Sequence, residues 1–257
     1  MERLRELLLA RGAALVGFAD LGELWTDVRF HLPRGISIAV AINPRIIAQI
    51  ETGPTRQYFD EYKRVNDQLN YLATFAADYL ANANYRVKAV EATVAFVDPV
   101  TCSAPFQHKT VATRAGLGWI GKSAMLITKQ YGPAVRFASV LTDAPLPVSR
   151  PTNHSQCGDC TNCVDICPGG AIKGTNWQVG MFREQLYDAQ ICRETALKMA
   201  ARVGVNHTVC GMCIAACPWT KRYVERELAN RQPASRQVQA GQDTSGQPSD
   251  SPATQPR

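Results

Sequence analysis

Hydrophobic and polar positions alternate with two different periods along the first 150 residues or so of the chain. Short apolar runs bounded by Gly, Pro or Asn predict buried strands at Ala13–Phe18 and Ile36–Ile42. Apolar side chains recur every three or four residues from Arg56 to Ala83, which predicts a long helix with one buried face. That face carries tyrosines, which either pack in a core, the commoner role, or line a cofactor pocket.

The remaining predicted elements of this region are shorter. They are helices at 2–11 and Phe106–Ala115, strands at Tyr85–Val90 and Thr93–Val97, and a hairpin of Met125–Thr128 with Val135–Leu141 around Tyr131–Pro133. Gly12 and Gly116 follow the two helices, where glycine commonly ends a helix.

Eight of the nine cysteines fall in a compact pattern between Cys157 and Cys217. The pattern is CxxCxxCxxxCP, then a lone Cys192, then CxxCxxxCP. Three closely spaced thiols can hold three corners of one cubane, and the cysteine before proline is typically a ligand of the other cluster. The pattern therefore predicts two [4Fe–4S] clusters.

The expected ligand sets draw on both runs. The first cluster would be held by Cys157, Cys160, Cys163 and Cys217. The second would be held by Cys167, Cys192, Cys210 and Cys213. Two four-cysteine zinc sites are the alternative, but zinc sites usually present well-separated CxxC pairs. A secreted disulfide framework fits such a dense array less well still.

Composition and charge limit the class of protein. The most apolar stretch is too short to cross a bilayer and the charged N-terminus does not resemble a secretory leader, so we expect a cytoplasmic protein with no membrane partner. The formal charge of +6 would suit a nucleic-acid partner. Two oxidised cubanes with their thiolates would lower that charge to about +2, so charge does not support nucleic-acid binding.

The segment Gly116–Ser123 reads GLGWIGKS and matches both GxGxxG and the P-loop pattern. Both motifs need a strand before the glycines and a helix after them, so that phosphate meets a helix N-terminus. The predicted order here is the reverse, and we therefore expect no nucleotide at this segment. Its glycines would then allow close approach to a large ligand or tight turns against Trp119.

These motifs together resemble the epoxyqueuosine reductase family. The resemblance runs from about residue 5 to 222 and rests on Ser103–Pro105, Ala115–Lys122, Leu141–Asp143, the cysteine run with Pro168–Ile172, Asp188–Cys192 and Cys217–Trp219. It implies two [4Fe–4S] clusters, a cobalamin in the N-terminal domain and reduction of an epoxide on a modified tRNA base. It also implies cobalamin contacts from the glycine segment, at Gly116, Gly118, Trp119, Gly121 and Lys122.

The chain departs from this family at two places. Cys102 stands where the family has the aspartate that is its proposed proton donor. A thiol can also donate a proton, although a lone cysteine is often only a small buried hydrophobe. His108 is a second candidate proton source, and Lys109 could bind a cofactor's polar groups. A polar tail from Asn230 replaces the helical-repeat domain of tRNA-acting members, so we do not expect tRNA as the substrate.

The sequence thus predicts an α/β (α+β) N-terminal cofactor domain over 1–151, a ferredoxin-like double [4Fe–4S] domain over 152–229 and a disordered tail over 230–257. A ferredoxin or flavodoxin would supply single electrons, which would reach the cofactor and then an unidentified small-molecule or corrinoid-protein substrate. A non-catalytic ferredoxin-like electron carrier, a reductive activator of a corrinoid protein and a flavin enzyme are the alternatives.

Overall fold

The computed structural model describes residues 1–93, 98 and 100–230. Its helices are α1 Glu2–Ala10, α2 Pro44–Ile47, α3 Arg56–Ala81, α4 His108–Arg114, α5 Asn162–Asp165, α6 Ala189–Ala201, α7 Met212–Ala215 and α8 Pro218–Ala229, with a 3-10 helix at Arg183–Gln185. Its strands are β1 Leu15–Asp20, β2 Arg34–Ala41, β3 Val87–Val90, β4 Trp119–Ile120, β5 Leu126–Ile127 and β6 Val135–Thr142. None of the described helices is long and apolar enough to cross a membrane.

The main sheet has four antiparallel strands in the order β1-β2-β6-β3. The central strands β2 and β6 are almost wholly buried, because α1 and α3 cover one face and α4 the other. Side chains therefore had to be apolar on both faces, which explains the continuous hydrophobic runs of the sequence. The mixed α/β expectation is confirmed, with a sheet that is antiparallel throughout.

Helix α3 forms much as the periodicity predicts. Thr55 caps its first turn by accepting a hydrogen bond from the amide of Tyr58 at 3.1 Å. Its buried stripe packs mainly in the core, and Tyr58 is 5% exposed. Tyr62, one turn further along, is half-buried and faces open space beside the sheet. One tyrosine of this helix thus packs in the core, whereas the other lines a cavity.

The predicted hairpin of Met125–Thr128 with Val135–Leu141 is wrong. Strand β5 pairs with β4 in a separate two-stranded sheet, whereas β6 lies between β2 and β3 in the main sheet. A single bridge between Thr128 and Gly132 closes the turn that follows β5, before β6 begins. Apart from Arg136, every residue of β6 is buried, and the centre of the main sheet is where both faces of a strand are covered.

The cysteine-containing part shares a hydrophobic core with the N-terminal part. Ile42 and Ile47 pack in one cluster with Val209 and Ile214. The hydroxyl of Tyr223 on α8 donates to the carbonyl oxygen of Ile42 at 2.9 Å. Burial on this scale ties the two predicted domains to each other.

Two predicted segments lie outside the described residues, wholly or nearly so. The predicted strand Thr93–Val97 is described only at Thr93, and the predicted tail only at Asn230. Both assignments stay predictions.

Gly118→Ala tests the packing of β4 against β5. A side-chain carbon at this position would collide with the carbonyl oxygen of Ile127, and overpacking typically destabilises by about 1–3 kcal/mol. We expect a lower urea midpoint by far-ultraviolet circular dichroism. Gly22→Ala is the matched control, because a carbon at that exposed position would lie 3.1 Å from the flexible Asp20 carboxylate. Equal midpoints for the two variants would contradict this packing.

Candidate functional site

The glycine segment is a packing device between a helix and two short strands. Helix α4 ends before Gly116, whose φ of +68° suits a residue without a side chain. Strand β4, a turn and strand β5 follow, so the strand–glycine–helix order of a phosphate-binding loop is absent from this described segment. Trp119 is 1% exposed, and its ring stands edge-on to Trp219 at 5.4 Å. The glycines allow the chain to pack closely against itself.

The first predicted cysteine set lines one small cavity. The cavity has a volume of about 60 Å³. Its wall includes Cys157, Cys160, Cys163 and Cys217, together with Cys213. Burial, followed by the charges of the other three set members, raises the pKa of Cys163 to about 11. The four thiols are therefore close enough to interact electrostatically.

The second predicted set lines a larger cavity of about 230 Å³. Its wall includes Cys167, Cys192, Cys210 and Cys213. Burial raises the pKa of Cys213, and the nearby Cys210 and Cys192 add to the effect. Cys192 is the most exposed cysteine of the described chain. Cys192 lies on α6, and Asp188 caps the first turn of this helix by accepting a hydrogen bond from the amide of Ile191 at 2.9 Å.

Backbone N–H groups point to the thiols in both cavities. The N–H groups of Trp219 and Thr220, at the start of α8, donate to Cys217. The N–H group of Met212 donates to Cys210. Such donors stabilise the thiolate form that iron requires. No three His, Cys, Asp or Glu side chains of the described residues converge tightly enough for a single metal ion. A cubane spreads its thiolates over separate corners, so the donor sets fit [4Fe–4S] clusters.

Cys102 lies on a loop that the cysteine-containing part holds in place. Arg183 donates to the carbonyl oxygens of Thr101 and Cys102, the latter at 3.1 Å, and to Ser103 Oγ at 2.9 Å. Cys102 has a φ of +51°, which is uncommon for a residue other than glycine. The loop conformation therefore depends on contacts from outside it.

Tyr187 lies between this loop and the second cysteine set. Burial raises its pKa, Arg183 opposes that change, and the nearby Cys192 and Cys102 add to it. Both cysteines are thus within electrostatic reach of the same phenol. Tyr187 itself lines the second cavity.

His108 is fixed at both ring nitrogens. Nε2 lies 2.8 Å from the carbonyl oxygen of Glu91 and must donate to it, so Nδ1 accepts from the Ser139 hydroxyl at 2.9 Å. Burial lowers the pKa of His108 to about 4, Arg136 contributes in the same direction, and the bond to Glu91 opposes both. His108 is therefore a neutral imidazole near pH 7.

Three cavities have Lys109 in their walls. They are the second cysteine cavity and two others of about 280 and 610 Å³. Lys109 donates to the carbonyl oxygen of Ala124 at 2.7 Å. Burial lowers its pKa to about 8, and nearby Arg183 contributes. A cation thus lies at the junction of the open spaces beside the cysteines.

Arg136 is a site residue that the sequence reasoning missed. It lies in β6, donates to Asn66 Oδ1 at 2.5 Å and stands 4.1 Å from the Tyr62 ring centroid. It lines both the 280 Å³ cavity and the second cysteine cavity. A lone arginine inside an otherwise apolar strand was the available signal. Arg183 carried no such signal.

The predicted cobalamin contacts divide into two groups. Gly121 and Lys122 line the first cysteine cavity, whereas Gly116, Gly118 and Trp119 pack against other parts of the chain. Their contact with cobalamin stays a prediction. The residues that follow them, Ala124 and Met125, do line the cavities around Lys109.

The cysteine-containing part of the chain matches a known family. Residues 156–220 match the family described as a 4Fe-4S double cluster binding domain. The epoxyqueuosine reductase of Pseudomonas aeruginosa is 29% identical over 191 residues, which cover 68% of this chain and 47% of that protein. Over that stretch the chain is similar to the epoxyqueuosine reductases. It spans about half the length of that relative.

Solved structures show the same fold. An epoxyqueuosine reductase with a modified tRNA stem loop aligns with a TM-score of 0.58 at 20% identity, covering 86% of this chain and 65% of that chain. A reductive dehalogenase, described with a mechanism for B12-dependent dehalogenation, aligns with a TM-score of 0.65 at 16% identity, covering 88% and 33%. Two kinds of reductase therefore share the fold of this chain.

His108→Gln tests the neutral imidazole. Its pKa is about 4 in the folded protein and 6.5 ordinarily, so the unfolded chain binds more protons between those values. The stability that neutral His108 contributes is therefore lost as pH falls from about 6.5 to about 4. Gln does not titrate, and its amide N–H can replace that of Nε2 in the bond to Glu91. We expect His108→Gln to flatten the pH dependence of the urea midpoint across this window.

The control is His31→Gln, at a histidine whose side chain is 69% exposed. If the urea midpoint of His108→Gln varied with pH as in the wild type, or if His31→Gln showed the same flattening, the assignment of His108 as a neutral imidazole would be contradicted.

Proposed function

We propose that this chain is an iron–sulfur reductase that holds two [4Fe–4S] clusters and binds cobalamin beside them. The carrying observation is that the second four-thiol set lines a cavity that shares Lys109 with two others, while Cys213 lines both this cavity and that of the first set. The matched double-cluster family supports the iron–sulfur half of the proposal. The fold shared with two kinds of reductase supports the enzymatic half.

The two cysteine sets would be the cluster ligands. We assign Cys157, Cys160, Cys163 and Cys217 to the first cluster and Cys167, Cys192, Cys210 and Cys213 to the second. Cys213 also touches the first cavity, which brings the two sets within one side chain of each other. When bound, the clusters supply one-electron transfer over this short separation.

The cavities around Lys109 suit a large ring with polar side groups. The wall of the 280 Å³ cavity combines the apolar Phe137 and Met125 with the cationic Arg136 and Lys109. A corrinoid carries amides and a phosphate around an extended ring, so these residues would hold both kinds of surface. Bound cobalamin would supply the reductive chemistry, and the chain would supply position and charge. The glycine segment would support this wall from behind.

Cys102 is the proton donor that we propose for the reaction. Its loop is held by Arg183, and its neighbour Tyr187 reaches the second cysteine set. His108 would position the start of α4 rather than donate a proton, because both of its nitrogens are engaged and it is neutral. The two catalytic candidates of the sequence thus receive different roles.

The substrate would be a small molecule or a corrinoid protein, with ferredoxin or flavodoxin as the electron donor. A pure electron carrier would need the thiol sets but not the cavities around Lys109. The curated relatives are named for epoxyqueuosine, and one solved relative holds a modified tRNA stem loop. Reduction of such a stem loop by the reduced holoprotein would assign that substrate to this chain as well.

Cobalamin binding tests the proposal directly. We expect anaerobically reconstituted protein to change the visible spectrum of added cobalamin in a saturable way. Met125→Trp should weaken binding by about tenfold or more, or about 1.4 kcal/mol, because it fills the shared wall. Tyr71→Trp, at a position 57% exposed, is the matched control. Absence of saturable binding would refute the cobalamin assignment.

Cys192→Ala tests the asymmetric ligand set. We expect iron and acid-labile sulfide to fall from about eight to about four per chain, with one cluster signal kept in electron paramagnetic resonance. Cys102→Ala is the matched control and should retain about eight of each. Full iron content in Cys192→Ala would show that Cys192 is not a ligand, and bound zinc without sulfide in the wild type would refute the clusters.

A further inference from the structure

Lys122 is a buried lysine whose charge has no partner in the described part of the chain. Its side chain is 5% exposed. No described carboxylate or carbonyl oxygen pairs with its ammonium, whereas Lys109 bonds to Ala124. The ammonium itself is not sealed from open space, so a group of opposite charge in the adjoining cavity could pair with it.

Lys122 lines the first cysteine cavity. It is the one charged residue in the described wall, which otherwise consists of the cysteines and neutral residues. The backbone approaches closely here, since a side-chain carbon added at Gly121 would lie 3.4 Å from Cys157 Sγ. The turn is held by bonds from Gly121 N to Met125 O and from Ala124 N to Gly121 O, both at 2.9 Å. This fixed turn places Lys122 in the wall of the cavity that the thiols line.

We propose that Lys122 is the counter-charge of the first cluster and raises its reduction potential. This inference rests on the proposed cluster ligands. An oxidised cubane with four thiolates carries a net charge of about −2, and one-electron reduction makes it about −3. A fixed positive charge stabilises the more negative state more strongly. The low-dielectric surroundings of a buried site enlarge the effect.

The rest of the cavity acts in the same direction. The amides of Trp219 and Thr220 donate to Cys217 from the N-terminus of α8, and hydrogen bonds to cluster sulfur raise cluster potentials. Lys122 differs from these donors in carrying a full charge, so its effect can be removed by a single substitution. The first cluster would therefore have a higher reduction potential than it would have with its four thiolates alone.

The test is a redox titration of the holoprotein with dithionite, followed by electron paramagnetic resonance. For Lys122→Met we expect one of the two cluster signals to shift to a more negative potential. The reduction equilibrium should weaken by about tenfold or more, which is about 59 mV for one electron. The other signal should stay in place.

Two controls separate charge from packing. Lys122→Arg keeps the charge and should titrate within about threefold of the wild type, which is less than 59 mV. Lys129→Gln removes a charge at an exposed position and should also leave both signals unchanged. Full iron content with no shift in Lys122→Met, or an equal shift in Lys122→Arg, would overturn the inference.

A defect in cluster loading would also be decisive. If Lys122→Met and Lys122→Gln lose the first cluster while Lys122→Arg keeps it, the charge is required and the inference stands. If Lys122→Arg loses it as well, packing explains the defect and the inference falls. Absence of clusters from the wild type would instead refute the proposed function, through the iron and sulfide content.

Discussion

The crowding of eight thiols, most of them half-buried, around two cavities is the constraint on which the structure depends. Burial favours the protonated form of a thiol, and the raised pKa of Cys163 shows that the set members also repel one another as anions. Iron requires thiolates, so positive charge and N–H donors must lie at the same place. The start of α8 supplies donors to Cys217 from within the cysteine-containing part. The cations come from the N-terminal part.

This requirement explains why the two parts form a common structure. Lys122 reaches the first cavity from the turn between β4 and β5, and Lys109 reaches the second from α4. Both lysines would be misplaced if the parts moved relative to each other. The shared core around Ile42 and Tyr223 fixes their relation. The glycines before Lys122 then serve close packing, which is why they resemble a phosphate-binding loop without having its flanking elements.

Local features of this chain were predictable from sequence, and long-range features were not. The cysteine spacing and the helix Arg56–Ala81 follow from residues near one another in the chain. The wrong hairpin shows the limit of prediction from local sequence. The partners of a strand depend on which of its faces must be buried, and β6 required cover on both faces. Arg136 was detectable as a charge inside an apolar strand. Arg183 was not, since its role depends on a loop about 80 residues away.

The loop that contains Cys102 also depends on contacts between the two parts of the chain. Arg183 bonds to three consecutive residues of the loop, and Gln190 bonds to the carbonyl oxygen of Val100 at 2.7 Å. Both side chains belong to the segment between the two cysteine runs. That segment also carries Cys192, so its path is set by the second cysteine cavity. The position of the proposed proton donor is therefore coupled to the integrity of the second cluster site, although Cys102 itself belongs to neither ligand set.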